Sequence, residues 1–280
     1  FPYPITPKNW NIPTIIYKIK TPMFKYLTKE EVQQLSFDWK YKGYSIIDLI
    51  TPEEADLISE NLDNLRKKRN SVDDKYGEYD PYIHPHKESE LVSKILGHPK
   101  ILESMEFIIN SEIQGIQTWA YFKPPGELGR DAHQDAFYAQ TQWNKTANVS
   151  ISLDNTDESN GGIWVYEASH LLPILPIEID EERAKLNPIR WRNERGKACV
   201  MPEGHNFSKI TPHVNKGQAI FLHSHIVHGS NENKSNRFRR SILSGYTGKG
   251  SPFRSGEHMK REPIDVYELK MKYWEVKKLV

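Results

Sequence analysis

A chain of 280 residues with 38 Lys and Arg against 37 Asp and Glu has a formal charge of +1, which gives no global electrostatic case for binding nucleic acid or an anionic membrane surface. Its single cysteine, Cys199, excludes a disulfide framework and fits a reducing, cytoplasmic setting. No stretch approaches the roughly 18 consecutive apolar residues of a membrane helix, and Phe1 to Pro13 has neither the charged start nor the apolar run of a signal peptide.

The first third of the chain reads as helical. Thr28-Lys29-Glu30-Glu31 is a capping box, and the helix it opens should end near Gly43. A strand is predicted over Tyr44 to Ile50. Thr51-Pro52-Glu53-Glu54 is a second capping box with Pro at the first helical position. Ala55, Ile58, Leu62 and Leu65 follow at helical spacing, and Arg66-Lys67-Lys68-Arg69 reads as a solvated helix end. Further helices are predicted over Glu88 to Leu96 and Pro99 to Ile109. From Glu112 short strand-like segments alternate with turn residues. They are Ile113–Phe122, Ala132–Tyr138, Ala147–Leu153, Gly162–Tyr166, Gln218–Leu222 and Arg239–Tyr246. A long Pro- and Arg-rich connection, 171–216, interrupts them and is a candidate lid. Val266, Leu269, Tyr273 and Val276 predict a C-terminal helix over 264–280. The expected architecture is one domain, mainly β: a helical layer (28–110) supporting a β-sandwich or barrel (112–246).

His133-Gln134-Asp135 carries the first chemical signal. On an extended strand, residues two apart share a face, which presents one imidazole and one carboxylate together. A redox-iron site with a facial two-His, one-carboxylate set needs one more His and keeps three positions open. The segment Gln218 to Ser230 offers His223, His225 and His228. His228 is preferred because Gly229 follows it and an arginine strand comes soon after; His225 is the runner-up. His-x-Asp alone is weak. Its weight comes from the ordered set, with Arg239 eleven residues past His228. A planar guanidinium can clamp the free carboxylate of a 2-oxo diacid through two parallel hydrogen bonds. Arg237 shares the parity of Arg239 and is a weaker candidate, and the bland alternative is an exposed basic turn.

Phe122-Lys-Pro-Pro-Gly126, His133-Gln-Asp135, Ser159-Asn-Gly-Gly162 and His228-Gly-Ser230 through Phe238-Arg239 together resemble the phytanoyl-CoA dioxygenase family of Fe(II)/2-oxoglutarate oxygenases, over about Gln117 to Tyr246. The resemblance implies a double-stranded β-helix (jelly-roll, cupin-like) core. It implies His133, Asp135 and His228 as iron ligands and Arg239 as the 2-oxoglutarate clamp. Gln134 falls on a position that lines the cosubstrate or substrate pocket, Ser230 assists the distal carboxylate, and Gln117 and Lys123 border the cosubstrate. It further implies O2 as co-reactant, succinate and CO2 as products, ascorbate as a stimulant in vitro, and hydroxylation of a small-molecule substrate. One departure stands out. Glu167-Ala168-Ser169-His170 replaces the common Pro-Gly-Ser-His, so the turn there should differ.

Other residues are weighed against bland readings. Tyr138, Trp143, Trp164 and Tyr166 read first as core aromatics, with Tyr138 and Trp164 as candidate substrate contacts. Arg130, Arg190, Trp191 and Arg192 could line an entrance suited to an anion, against the alternative of a solvated basic stretch. His84-Pro85-His86 reads as a loop, His205 and His213 as surface residues, His170 as a structural hydrogen-bonding group and Cys199 as a packed apolar residue. Two rival functions remain at this stage: a zinc hydrolase built on the same triad, and a jelly-roll binding module without catalysis. Neither substrate nor oligomeric state is legible.

Overall fold

The computed structural model describes residues 24–72, 79–185, 196–257 and 259–269. Both capping boxes form. Thr28 Oγ1 accepts from Glu31 N at 3.1 Å while Glu31 accepts from Thr28 N at 2.8 Å, opening α1 (Lys29–Tyr41). Gly43, at φ 83, ends that turn, and a Cβ there would lie 2.4 Å from His170 Nδ1. The chain enters β1 (Tyr44–Asp48), then α2 (Pro52–Val72) through the Thr51–Glu54 reciprocal pair. After β2 (Tyr82–Ile83) come α3 (Glu90–Leu96), capped by Ser89, and the apolar α4 (Pro99–Ile109).

The β-rich part begins with β3 (Ile113–Lys123), followed by α5 (Asp135–Ala139), β4 (Thr146–Ser152) and β5 (Ile163–Tyr166). The long connection is not structureless where it is described. It holds β6 (Ile177–Ile179), α6 (Glu181–Lys185), β7 (Lys197–Cys199) and β8 (Lys209–Ile210). The last strands are β9 (Gln218–His223), β10 (His228–Ser230) and β11 (Arg239–Gly248). Six strands form one antiparallel sheet in the order β1-β9-β4-β11-β3-β2, and three form a second in the order β10-β5-β8. The fold is the expected jelly roll with a helical layer on the outside of the larger sheet.

Alternation along β4 explains that layering. All seven residues are buried, but Ala147, Val149 and Ile151 join the core shared with the helices, whereas Thr146, Asn148 and Ser150 line a cavity on the other face. The helical side is filled by Leu35, Trp39, Ile58, Leu62 and most of α4. Tyr246 ties sheet to helix through a buried bond from its hydroxyl to Leu96 O, 2.9 Å. Between the sheets, Val165 packs on Ile220 and Leu222. The register of β11 against β3 slips between Gly245 and Tyr246, and this bulge leaves both Ile116 and Gln117 on the cavity side.

Two expectations are corrected. Ala132 to Tyr138 is not a strand: His133 makes only an isolated bridge with His228, and Asp135 starts a short helix instead. The backbone turns because Ala136 N donates to Ser224 O (2.8 Å) and Gln140 N to Ala136 O (2.8 Å), so no sheet partner is available. At the C-terminus only 266–269 is described as helical, and Tyr273 and Val276 lie outside the described residues. Among the described residues no helix is long and apolar enough to cross a membrane. The unusual turn places Ala168 at φ 64, a conformation costing a residue with a Cβ about 1–2 kcal/mol. Ala168→Gly is therefore expected to raise stability by about 1 kcal/mol, read as a higher denaturant midpoint at unchanged m-value.

Candidate metal centre

His133 and His228 are brought face to face by a two-bond bridge, His133 N to His228 O at 2.9 Å and His228 N to His133 O at 3.0 Å. Their rings lie 4.2 Å apart between centroids. Asp135 sits beneath them, with Oδ1 3.6 Å from His133 Nε2 and Oδ2 3.6 Å from His228 Nε2. One donor atom from each of the three lies within 4.8 Å of the others. The second ring nitrogens fix the tautomers. His133 Nδ1 is 2.9 Å from Asp131 O and His228 Nδ1 3.0 Å from Ile226 O. A carbonyl can only accept, so each Nδ1 carries the proton and each Nε2 turns its lone pair inward. Burial, then the nearby Arg130 and His228, hold His133 well below the usual imidazole range, which keeps it neutral. Asn148 Nδ2 donates to Asp135 Oδ2 at 2.6 Å and orients the carboxylate. Gly229 must be glycine: a Cβ would lie 2.4 Å from the Trp164 ring and 2.5 Å from Arg130 O.

Strand parity sorts the arginines. Arg240 faces away and pairs with Asp154 (2.8 Å) and Asp63 (3.2 Å); Arg237 pairs with Asp157 (2.7 Å) in an exposed turn. Arg239 turns into the cavity that holds the triad, is only 7% exposed, and its Nε has no hydrogen-bond partner among the described residues. Burial pushes its guanidinium down to about 10. The neighbouring Lys123 Nζ donates to Ser230 Oγ (3.1 Å) and Asn231 O (2.5 Å), and Ser230 Oγ also accepts from Arg130 N (3.0 Å). Gln117, Lys123 and Ser230 all line the same cavity of about 1070 Å3, as do Arg130 and Tyr138.

Three site expectations fare differently. Gln134 does not line this cavity. Its amide is claimed by Pro173 O (3.0 Å), His225 O (2.8 Å) and Leu175 N (2.8 Å), because the turn into α5 points it toward the long connection. Trp164 lies behind the site, with its ring against Gly229 and Lys209 over its face at 4.1 Å. Arg192, with Arg190 and Trp191, lies outside the described residues. His223 and His225 join His170 and Trp39 in a buried group of rings instead of the triad, with the exposed Trp143 against His223. His84 and His86 serve the backbone and a hydroxyl, bonding Met259 O (2.6 Å) and Thr118 Oγ1 (2.6 Å). Cys199 is buried, and burial raises its thiol to about 11. Asn148 and Arg261 are the residues that sequence reasoning missed: both depend on pairings between segments far apart in the chain.

Two imidazoles and one carboxylate on one side of a cavity are the donor set that suits octahedral Fe(II) with open positions. A buried guanidinium with an unmet donor in the same cavity fits an anionic co-ligand. The sequence profile of the family Phytanoyl-CoA dioxygenase (PhyH) matches residues 39–241. The peroxisomal phytanoyl-CoA dioxygenase of Bos taurus is 23% identical over 188 residues, 64% of this chain, and the chain spans only 54% of that relative's length. Among solved structures, the epimerase SnoN in complex with Fe3+, alpha-ketoglutarate and nogalamycin RO superposes with a TM-score of 0.63 at 16% identity, covering 81% of this chain and 87% of its own. EctD from S. alaskensis with 2-oxoglutarate and 5-hydroxyectoine gives 0.62 at 15% identity, over 81% and 78%. These likenesses agree with the jelly-roll fold, and the profile match across most of the chain carries the conclusion that this protein belongs to the phytanoyl-CoA dioxygenase family.

Proposed function

We propose that this protein is an Fe(II)/2-oxoglutarate-dependent dioxygenase that hydroxylates an unactivated C–H bond of a small molecule. His133, Asp135 and His228 would hold Fe(II), and Arg239 would receive the distal carboxylate of 2-oxoglutarate. When bound, iron with 2-oxoglutarate and O2 supplies the oxidising chemistry, releasing succinate and CO2. The protein's own share is positional. Asp131 O and Ile226 O aim the two imidazoles, and Asn148 aims the carboxylate. Lys123, tied to Ser230 and Asn231, adds positive charge beside Arg239. The stacked pair Trp119 and Tyr121, 5.6 Å apart, and Ile116 give the cavity an apolar wall that excludes water. Tyr138, whose ring stands 6.1 Å from His133, and Arg130, 5.7 Å above Tyr138, are placed to meet substrate beside the metal.

The observation that carries this reading is Arg239. A zinc hydrolase could use the same triad but has no need of a buried guanidinium with an unmet donor in its cavity. A binding module without catalysis would not need the triad. The test is direct. The anaerobic Fe(II) protein should develop a visible charge-transfer band when 2-oxoglutarate is added, and with O2, ascorbate and an accepted substrate it should form succinate. A colourless complex and no succinate from any member of a broad substrate screen would defeat the proposal.

A further inference from the structure

Arg261 is a further buried cation in the cavity, besides Arg239 and Lys123, and neither the triad nor the cosubstrate clamp accounts for it. It is 9% exposed, and no carboxylate pairs with it among the described residues. Its Nε donates to Gln117 Oε1 at 2.8 Å and its Nη1 to Arg254 O at 3.2 Å, both neutral acceptors. Burial lowers its guanidinium; the charge of Asp135 opposes that effect and the charge of Arg254 adds to it. A desolvated arginine held by neutral partners is costly unless a further anion completes it.

The segment that carries Arg261 lies beyond residues 39–241, outside the family match. After β11 it lines the cavity with Arg254, Met259 and Arg261 and is pinned at several points. Arg254 N donates to Ala139 O (2.7 Å), Arg261 N to Ser255 O (3.0 Å) and Ser255 Oγ to Arg261 O (3.0 Å). His84 holds Met259 O, Lys87 pairs with Glu262, and Gly115 bridges Ile264. Arg261 is thus fixed in place before any ligand arrives, which lowers the ordering cost of binding.

Its position also separates it from Arg239. Gln117, its anchor, pairs with Gly245, and Gly245 pairs on its other side with Asn148, the residue that orients Asp135. Arg239 pairs with Lys123, six residues further along β3, or about 20 Å of strand. Arg261 is therefore anchored level with Asn148 and Asp135, whereas Arg239 leaves the sheet six residues of β3 away. Ile83, Ile116, Trp119 and Leu243 supply apolar surface in the same cavity.

We propose that Arg261 selects the substrate by receiving its oxyanion, a carboxylate or a phosphate, on a small molecule whose apolar body lies along this wall. The proposal rests on the oxygenase reading for the place of reaction, but the oxyanion site itself does not require metal. Hexanoate, hexyl phosphate and hexanamide serve as probes, titrated calorimetrically into the metal-free protein and into the anaerobic Fe(II)·2-oxoglutarate protein. At least one oxyanion should bind about tenfold or more tightly than the amide, and the better of the two identifies the oxyanion. Arg261→Gln should erase that preference while leaving the 2-oxoglutarate dissociation constant within about threefold, and Arg261→Lys, which keeps charge and length, should retain part of it. Equal binding of all three probes by the wild type overturns the proposal. So does a preference that survives Arg261→Gln, or a loss of 2-oxoglutarate binding in that variant, which would make Arg261 part of the cosubstrate site. Failure of the wild type to bind 2-oxoglutarate would sink the oxygenase reading alone, because the oxyanion preference is read independently in the metal-free protein.

Discussion

Asp135→Ala is expected to weaken Fe(II) binding, and with it succinate formation, by more than about 100-fold, because losing a ligand should exceed the roughly 10–100-fold cost of losing a group that only orients one. Asp135 is the single anion of the triad, and its two oxygens each lie 3.6 Å from an imidazole Nε2. Among the described residues no other carboxylate is grouped with the two histidines. Glu127 and Glu257 reach the same cavity from loops but are not grouped with the two histidines. Asn148→Ala provides the internal scale. Asn148 touches the carboxylate through one 2.6 Å bond and is not itself a ligand of the proposed centre. Its loss should cost about 10–100-fold in metal affinity, leaving turnover measurable at saturating Fe(II). Anaerobic calorimetric titration of both variants, with circular dichroism as the check on folding, orders the two effects. Wild-type Fe(II) affinity in Asp135→Ala would falsify the assignment of the centre to these residues.

The triad was legible in the sequence for a reason other than the one the residues first offered. Strand parity puts His133 and Asp135 on one face, yet the structure converges them through a bridge followed by a helical turn. The spacing survived because a residue before a helix and a residue at its first position can both point toward β10. The capping boxes and the apolar face of α2 were readable because their physics is local, set by residues three or four apart. Parity along β11 also held, separating Arg239 from Arg240. What stayed hidden depends on pairing across long distances in the chain. Asn148 looks like any polar residue in an alternating strand until β4 is placed beside β11 and beneath α5. Arg261 looks like part of a charged tail until the segment after β11 folds back over β3. Gln134 shows the converse case. The family resemblance implied a pocket residue, but its amide closes three bonds to the long connection and the turn before β10.

Arg239→Met should have two effects of opposite sign, which makes it a stringent test of the cosubstrate site. The guanidinium is buried, its Nε has no hydrogen-bond partner among the described residues, and burial lowers it to about 10. A base whose folded value lies below its unfolded one is penalised in its charged form. That penalty is fully present at every pH below about 10 and fades only as pH climbs past it. At neutral pH it is on the order of 3 kcal/mol, so an apolar side chain of similar length should stabilise the ligand-free protein by about 1–3 kcal/mol. The same change removes the proposed clamp. Two charge-assisted bonds at about 1.5–3 kcal/mol each correspond to a loss of about 100-fold or more in 2-oxoglutarate affinity. Thermal melts with and without 2-oxoglutarate read both effects together. The variant should melt above the wild type without ligand, and 2-oxoglutarate should raise the wild-type midpoint while leaving the variant unmoved. A variant that melts lower and still responds to 2-oxoglutarate would show that Arg239 is satisfied by the fold itself, and the carboxylate of the cosubstrate would then have to be sought on Lys123 or Arg261.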